Sequence, residues 1–137
     1  MARASDAEGQ GPVEALLDGA REALGQGDLE AALDLFEAAA GSSPERLDAE
    51  GYIDMIRTRL LERYRERVGD PRGVPERALP LEAVADYRLP ADAGFLLSLV
   101  DGTTSFGELV SLSGMGPFEA FRILDRLLAA RIVGVRG

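Results

Sequence analysis

The sequence predicts a mainly α-helical protein built from two small parts, with a short strand near the C-terminus. Apolar residues recur at helical spacing over most of the chain, which is the principal signal for amphipathic helices. Turns rich in Gly, Pro and Asp separate these stretches at short intervals. The run from Ile132 to Val135 is rich in β-branched residues, which predicts the strand.

The N-terminal part begins with a tail and continues as a helical hairpin. Residues 1–11 are small and polar without periodicity, so we expect them to be disordered. A first helix is expected over 12–24 and a second over 29–40, each with an apolar face. Asp28 lies directly before the second helix, where its carboxylate can cap the free N–H groups. Two helices joined by so short a turn form an αα-hairpin.

This hairpin resembles one tetratricopeptide repeat. The matching residues are Leu16 and Ala20 in the first helix, Gly27 and Asp28 in the turn, Ala32, Phe36 and Ala39 in the second helix, and Pro44 after it. The chain departs from the repeat at Ala23, where an aromatic residue is expected. A lone repeat cannot bury its apolar faces and needs a neighbour, which we expect to be the next helix.

That third helix is expected over 45–68, so the first domain spans residues 12–68. Gly51 lies in its interior and could break or kink it, because glycine costs about 1 kcal/mol relative to alanine in a helix. Residues 69–78 contain two Pro and two Gly, which predicts an irregular linker. A short helical turn follows within 80–87 and leads into the second domain, residues 79–137.

The second domain has the element order of a winged helix with a reduced wing. Its first helix begins near Pro90 and ends at the Asp101-Gly102 turn. Ser105 and Glu108 have the spacing of a capping box for the second helix. Gly114 ends that helix, and the third helix is expected over 117–131, followed by the strand at 132–135.

The second domain resembles the PatA-type domain of bacterial signalling and gliding-motility proteins. The resemblance lies in the apolar helix Phe95–Val100, the Asp101-Gly102 turn, the capped helix Thr104–Leu112, Ser113-Gly114, and the helix and strand Leu124–Val133. Arg131 stands where that family often has glycine. The Asp-Gly turn and the helix order are also similar to those of PqqD-like peptide chaperones. That second resemblance implies a leader peptide added as a strand beside Ile132–Val135.

Composition argues against several kinds of activity. The chain has no Cys and no His, so thiolate chemistry is excluded and the commonest general base and metal ligand are missing. We therefore expect no catalytic residues, no metal and no cofactor. No apolar run reaches membrane-spanning length, and the N-terminus is unlike a signal peptide, so a cytoplasmic protein without membrane contact is expected.

Charge is distributed unevenly along the chain. Its net charge is −9, and residues 14–54 alone hold eleven acidic and two basic groups. Residues 57–67 instead hold five Arg against two Glu. An acidic protein repels phosphate backbones, so we expect no nucleic-acid partner, although a winged helix makes DNA reading the third alternative. The exposed face of the last helix is expected to offer Glu119, Arg122, Asp125 and Arg126.

The expected contact residues for a protein partner are mostly arginines: Arg57, Arg59, Arg63, Arg67, Phe118, Arg122 and Arg126. Arginine is enriched at protein interfaces, and a cluster of this kind suits an acidic partner. The alternative for the cluster at 57–67, which also contains Arg65, is pairing within the helix to Glu62 and Glu66. The alternative for Phe118 is packing in the core.

These observations predict a non-enzymatic adaptor in bacterial signalling, regulation or motility. The hairpin or the third helix would hold one partner and the second domain another. Peptide recognition of the PqqD-like sort is the alternative, and a DNA-binding regulator ranks third. The adaptor role depends on family resemblance, which by itself is an analogy.

Overall fold

The computed structural model describes residues 2–136, with side chains from Gly11 onward, and it is mainly helical. The chain divides into two compact units, Met1–Leu60 and Leu61–Gly137. Tyr64 and Val68, in the last turns of the third helix, belong to the second unit and are buried. Among the described residues, no helix combines the length and the apolarity needed to cross a bilayer.

The described elements follow the predicted order, with one additional strand. They are α1 (Ala2–Gly25), α2 (Leu29–Ser42), α3 (Leu47–Val68), β1 (Pro75–Arg77), α4 (Leu81–Val84), a 3₁₀ helix (Ala85–Tyr87), α5 (Ala91–Ser98), α6 (Phe106–Ser113), α7 (Pro117–Ala129) and β2 (Val133–Val135).

The first unit contains the predicted helical pair, in which α1 packs against α2. Gly27 has φ +80 and ends α1: its N–H donates to Leu24 O at 3.0 Å, and the Asp28 N–H donates to Ala23 O at 2.9 Å. These two hydrogen bonds make a Schellman motif. The Asp28 carboxylate accepts from the Ala31 N–H at 3.1 Å, which confirms the predicted cap.

Two expectations for the first unit differ from the structure. The tail predicted over 1–11 is helical from Ala2 onward, and Met1 lies outside the described residues. This segment is rich in alanine, and adding residues to an existing helix is far easier than nucleating a new one. The second difference is at Gly51, through which α3 continues as one helix because the position is exposed and unpacked.

The second unit contains a two-stranded antiparallel sheet that pairs β1 with β2. The register places Glu76 opposite Gly134, and Ala78 N–H donates to Ile132 O at 2.8 Å. The predicted irregular linker therefore contains a strand, which the sequence alone does not indicate because Pro and charged residues are unfavourable in strands. Its strand conformation comes from the hydrogen bonds to β2.

Helices α5, α6 and α7 contact one another in the second unit. Ser105 caps α6 in the predicted capping box: its hydroxyl accepts from Glu108 N–H at 3.2 Å, and the Glu108 carboxylate accepts from Ser105 N–H at 3.1 Å. Gly114 ends α6 at φ +67, as predicted. The centre of this unit is apolar and fully buried, and it includes Leu96, Phe106, Leu109, Leu124, Leu127 and Ile132.

Shortly after the end of α7, Arg131 adopts a conformation that favours glycine. Arg131 has φ +60, its N–H donates to Leu128 O at 3.1 Å, and the Ile132 N–H donates to Leu127 O at 3.0 Å. This is the same Schellman motif that closes α1, with arginine in place of glycine at the left-handed position. Arg131 is the residue that stands where the PatA-type family often has glycine. Its side chain strains the backbone in this conformation.

Candidate partner-binding site

The predicted arginines of α3 that belong to the first unit differ in their surroundings. Arg57 forms an ion pair with Glu37 of α2 at 2.9 Å. Arg59 is exposed, and no ion pair of the described residues includes it. Arg57 therefore holds α3 against α2, whereas Arg59 presents its charge to solvent.

In the second unit, the end of α3 contacts α7 through charged and aromatic groups. Arg67 pairs with Asp125 at 3.1 Å, and the side chain of Asp125 is only 11% exposed. The Arg65 guanidinium lies 5.3 Å from the centre of the Phe121 ring, a cation–π distance. Asp125 was expected on the exposed face of this helix, and that prediction is wrong because the end of α3 covers it. Arg67 compensates the buried carboxylate and presents less of its charge to a partner.

Phe118 and Arg63 have different surroundings in the second unit. Phe118 is half-buried, and its ring centre lies 5.9 Å from that of Tyr64. This contact corresponds to the packing alternative for Phe118.

Arg63 is exposed, and the described ion pairs include neither Glu62 nor Glu66. The expected pairing within the helix is therefore not found among the residues that the structure describes.

Arg122 and Arg126 lie together along a groove that we call the α7 groove. It has a volume of about 330 Å³, and its apolar walls include Tyr87, Leu89, Ala93, Ile123 and Leu127. Its charged lining consists of Arg122, Arg126, Asp92 and Glu119. An apolar groove with a few polar groups is the usual form of a binding site.

Arg122 is half-buried beside this groove. Its Nε is buried, and no group of the described residues accepts its hydrogen bond. A buried donor without an acceptor costs about 1–3 kcal/mol. The atom has almost no accessible surface, so a ligand in the groove does not reach it in this conformation. Arg126 lies one helical turn further along α7 and is exposed.

The sequence did not reveal a second groove, which we call the arginine-bordered groove. It has a volume of about 540 Å³, and its apolar lining includes Leu81, Val84, Leu89 and Leu97. Arg77 from β1 and Arg88 after the 3₁₀ helix are its charged residues. Helical spacing could not predict that these two arginines line one groove. Arg77 lies in β1, which is positioned by pairing with β2 near the C-terminus.

Three carboxylates lie close together near the start of α3, Asp48, Glu50 and Asp54, and all three are exposed. Asp48 accepts hydrogen bonds from Arg46 at 3.2 and 3.3 Å, and this contact lowers the pKa of its carboxyl group. A carboxylate held ionised in this way is poorly suited to donate a proton near neutral pH. Within the described residues, no cluster of three or more metal-binding side chains occurs.

In the PqqD-like alternative, a peptide would add as a strand beside β2. This strand is largely covered. One edge pairs with β1, and Ile132 and Val133 are 1% and 2% exposed. Gly134 is half-buried and Val135 is exposed.

No protein-family model matches the chain, and neither the curated proteins nor the solved structures include a significant match.

Proposed function

We propose that this protein is a non-enzymatic adaptor that binds another protein through the α7 groove. The observation that carries the proposal is the α7 groove itself, where apolar walls meet the arginines Arg122 and Arg126 and the carboxylates Asp92 and Glu119. An apolar side chain of a partner would fill the groove, while a carboxylate of that partner lies beside the exposed Arg126.

The tetratricopeptide-like and winged-helix-like interpretations of the two units are part of this proposal. Helical hairpins and small helical units of this kind present side chains on rigid elements, which suits recognition. On this proposal the cellular setting is bacterial signalling, regulation or motility, and it depends on the PatA-type resemblance. The acidic net charge agrees with a protein partner better than with a nucleic acid.

Site-specific photocrosslinking in the cells that naturally express the chain tests this function. A photoreactive amino acid replaces Tyr87, which is 47% exposed and lines the α7 groove. We expect one discrete protein adduct, which the second change Arg126→Glu abolishes or strongly reduces. The matched control carries the same probe at Leu112, which is 62% exposed and does not line the α7 groove.

Equal adducts from both probe positions, or an adduct indifferent to Arg126→Glu, would contradict the proposal. A turnover measured with the purified chain on any substrate, and abolished by a groove substitution, would show that the protein is an enzyme.

A further inference from the structure

The arginine-bordered groove combines an apolar floor with positive charge only. Its lining contains Arg77 and Arg88 and no carboxylate, although the whole chain has a net charge of −9. The α7 groove differs because Asp92 and Glu119 accompany its two arginines. The arginine-bordered groove is therefore a local positive site on an acidic protein.

Both arginines of this groove have exposed guanidinium groups. Neither Arg77 nor Arg88 takes part in an ion pair or a side-chain hydrogen bond of the described residues. Other arginines of the described residues do form ion pairs, such as Arg46 with Glu14 at 2.7 Å and Arg67 with Asp125 at 3.1 Å. The charges of Arg77 and Arg88 are thus available to an external carboxylate.

Arg88 also occupies an unfavourable backbone conformation. Its φ of 49 and ψ of 54 lie in the left-handed region, where a residue with a side chain costs about 1–2 kcal/mol. Residues held in such conformations occur often at ligand-binding positions, where the side chain is needed despite the cost. Here the conformation also closes the 3₁₀ helix, since the Arg88 N–H donates to Ala85 O at 3.4 Å.

We propose that the arginine-bordered groove binds a partner peptide that inserts an apolar side chain and places carboxylates on Arg77 and Arg88. The groove lies open at the surface, since Leu81, Arg88 and Ser98 are all exposed. A small ligand is normally buried over most of its surface, so an open groove favours a peptide. The two guanidinium groups select acidic flanking residues by charge complementarity. This ligand is separate from the partner of the α7 groove, although Leu89 lines both grooves.

Gly94 offers a way to close this groove without disturbing the fold. It lies within α5 and lines the groove, and a Cβ added there would meet no atom within 4 Å. Gly94→Trp should therefore fill the groove with an indole ring, and replacing an interior helix glycine also favours the helix. Gly51→Trp is the matched control, since Gly51 lies in α3 of the first unit and also has nothing within 4 Å of its Cβ position.

The experiment selects binders to the immobilised full chain from a displayed library of random 16-residue peptides. We expect the enriched peptides to combine apolar residues with Asp or Glu. The strongest is then synthesised with a fluorophore, and its Kd is measured by anisotropy against each variant. Gly94→Trp and Arg77→Glu should each weaken binding by about tenfold or more, whereas Gly51→Trp and Arg72→Glu should leave it unchanged.

Three results would overturn the proposal: no enrichment, enriched peptides without acidic residues, or affinity unaffected by Gly94→Trp. Self-association through this groove would appear in sedimentation as a dimer that Gly94→Trp dissociates, and it would likewise overturn the peptide assignment. These outcomes are independent of the photocrosslink at Tyr87, so failure of this proposal can be distinguished from failure of the proposed function.

Discussion

The two units differ in the distance along the chain over which their interactions form. In the first unit, α1 and α2 are consecutive helices joined by a turn with its own hydrogen bonds, and the ion pair between Arg46 and Glu14 connects residues 32 apart. In the second unit, β1 pairs with the last strand, and Arg67 meets Asp125 across 58 residues. Short-range contacts are formed at a lower entropic cost than long-range ones. We infer that the second unit depends more heavily on a few distant contacts.

The largest expected effects come from removing one buried ring in each unit. Phe36 and Phe106 are both fully buried, so Phe36→Ala and Phe106→Ala should each lower the free energy of unfolding by about 3–5 kcal/mol. Phe36 also stacks on Tyr52 with ring centres 4.6 Å apart, which adds roughly 0.5–1.5 kcal/mol. Urea denaturation measures both losses, with Phe→Leu at each position as the conservative control. A loss below about 1 kcal/mol would contradict the packing of that unit.

The two Schellman motifs should respond in opposite directions to exchange at their left-handed residue. Gly27→Ala should destabilise the first unit by about 1–2 kcal/mol, because a Cβ is unfavourable at φ +80. Arg131→Gly should stabilise the second unit by roughly 0.5–1 kcal/mol, since relief of strain exceeds the entropy that glycine loses on folding. Thermal unfolding of both variants checks the signs. Changes of the same sign would show that the motifs are not equivalent.

The distant ion pair of the second unit should contribute about 1 kcal/mol. Arg67→Ala leaves the nearly buried carboxylate of Asp125 without its cation, so a loss of about 1–2 kcal/mol is expected. The double variant with Asp125→Asn and Arg67→Ala should lose less free energy of unfolding than the two single variants lose together. A double-mutant cycle gives this coupling energy, and strictly additive losses would show that the pair is not stabilising.

The smallest expected effect depends on pH and concerns the turn before α6. The Asp101 carboxylate accepts from the N–H groups of Thr103 and Thr104 at 2.9 and 2.8 Å, which lowers its pKa below the ordinary 3.8. A lowered pKa means that the carboxylate stabilises the fold above about pH 4 and that this contribution is lost as pH falls through the folded value. Asp101→Asn should thus lower the midpoint of thermal unfolding at pH 7 and make little difference in strong acid.

Asp34→Asn provides the control for this pH dependence, because Asp34 is exposed on α2 and accepts no hydrogen bond among those described. Its midpoint should match that of the unchanged chain throughout the pH range. An equal response of the two variants would mean that net charge, rather than the turn, accounts for the effect.

The parts of the fold that the sequence predicts are those with local chemical signals. Asp28 caps α2 and Ser105 with Glu108 caps α6, because each of these hydrogen bonds joins residues three positions apart. Strand β1 could not be predicted, since its conformation depends on a strand far along the chain. The burial of Asp125 was likewise missed, because the helix pattern does not show which element covers a polar face.

The candidate site shows the same division. Helical spacing places Arg122 and Arg126 one turn apart on α7, and the structure brings both to one groove. The opposite wall, with Tyr87 and Leu89, follows from tertiary packing and has no local signal. Arg77 was missed altogether because it lies in a segment predicted to be irregular.

Pro75 at the start of β1 has a consequence for self-assembly. The register directs the backbone groups of Glu76 toward β2, so those of Pro75 and Arg77 point to the outer edge. Pro75 has no N–H to donate, and Arg77 adds a charge that resists stacking of like chains. The sheet is therefore a poor template for fibril growth along β1, and Pro75→Val would restore the missing N–H donor at this edge.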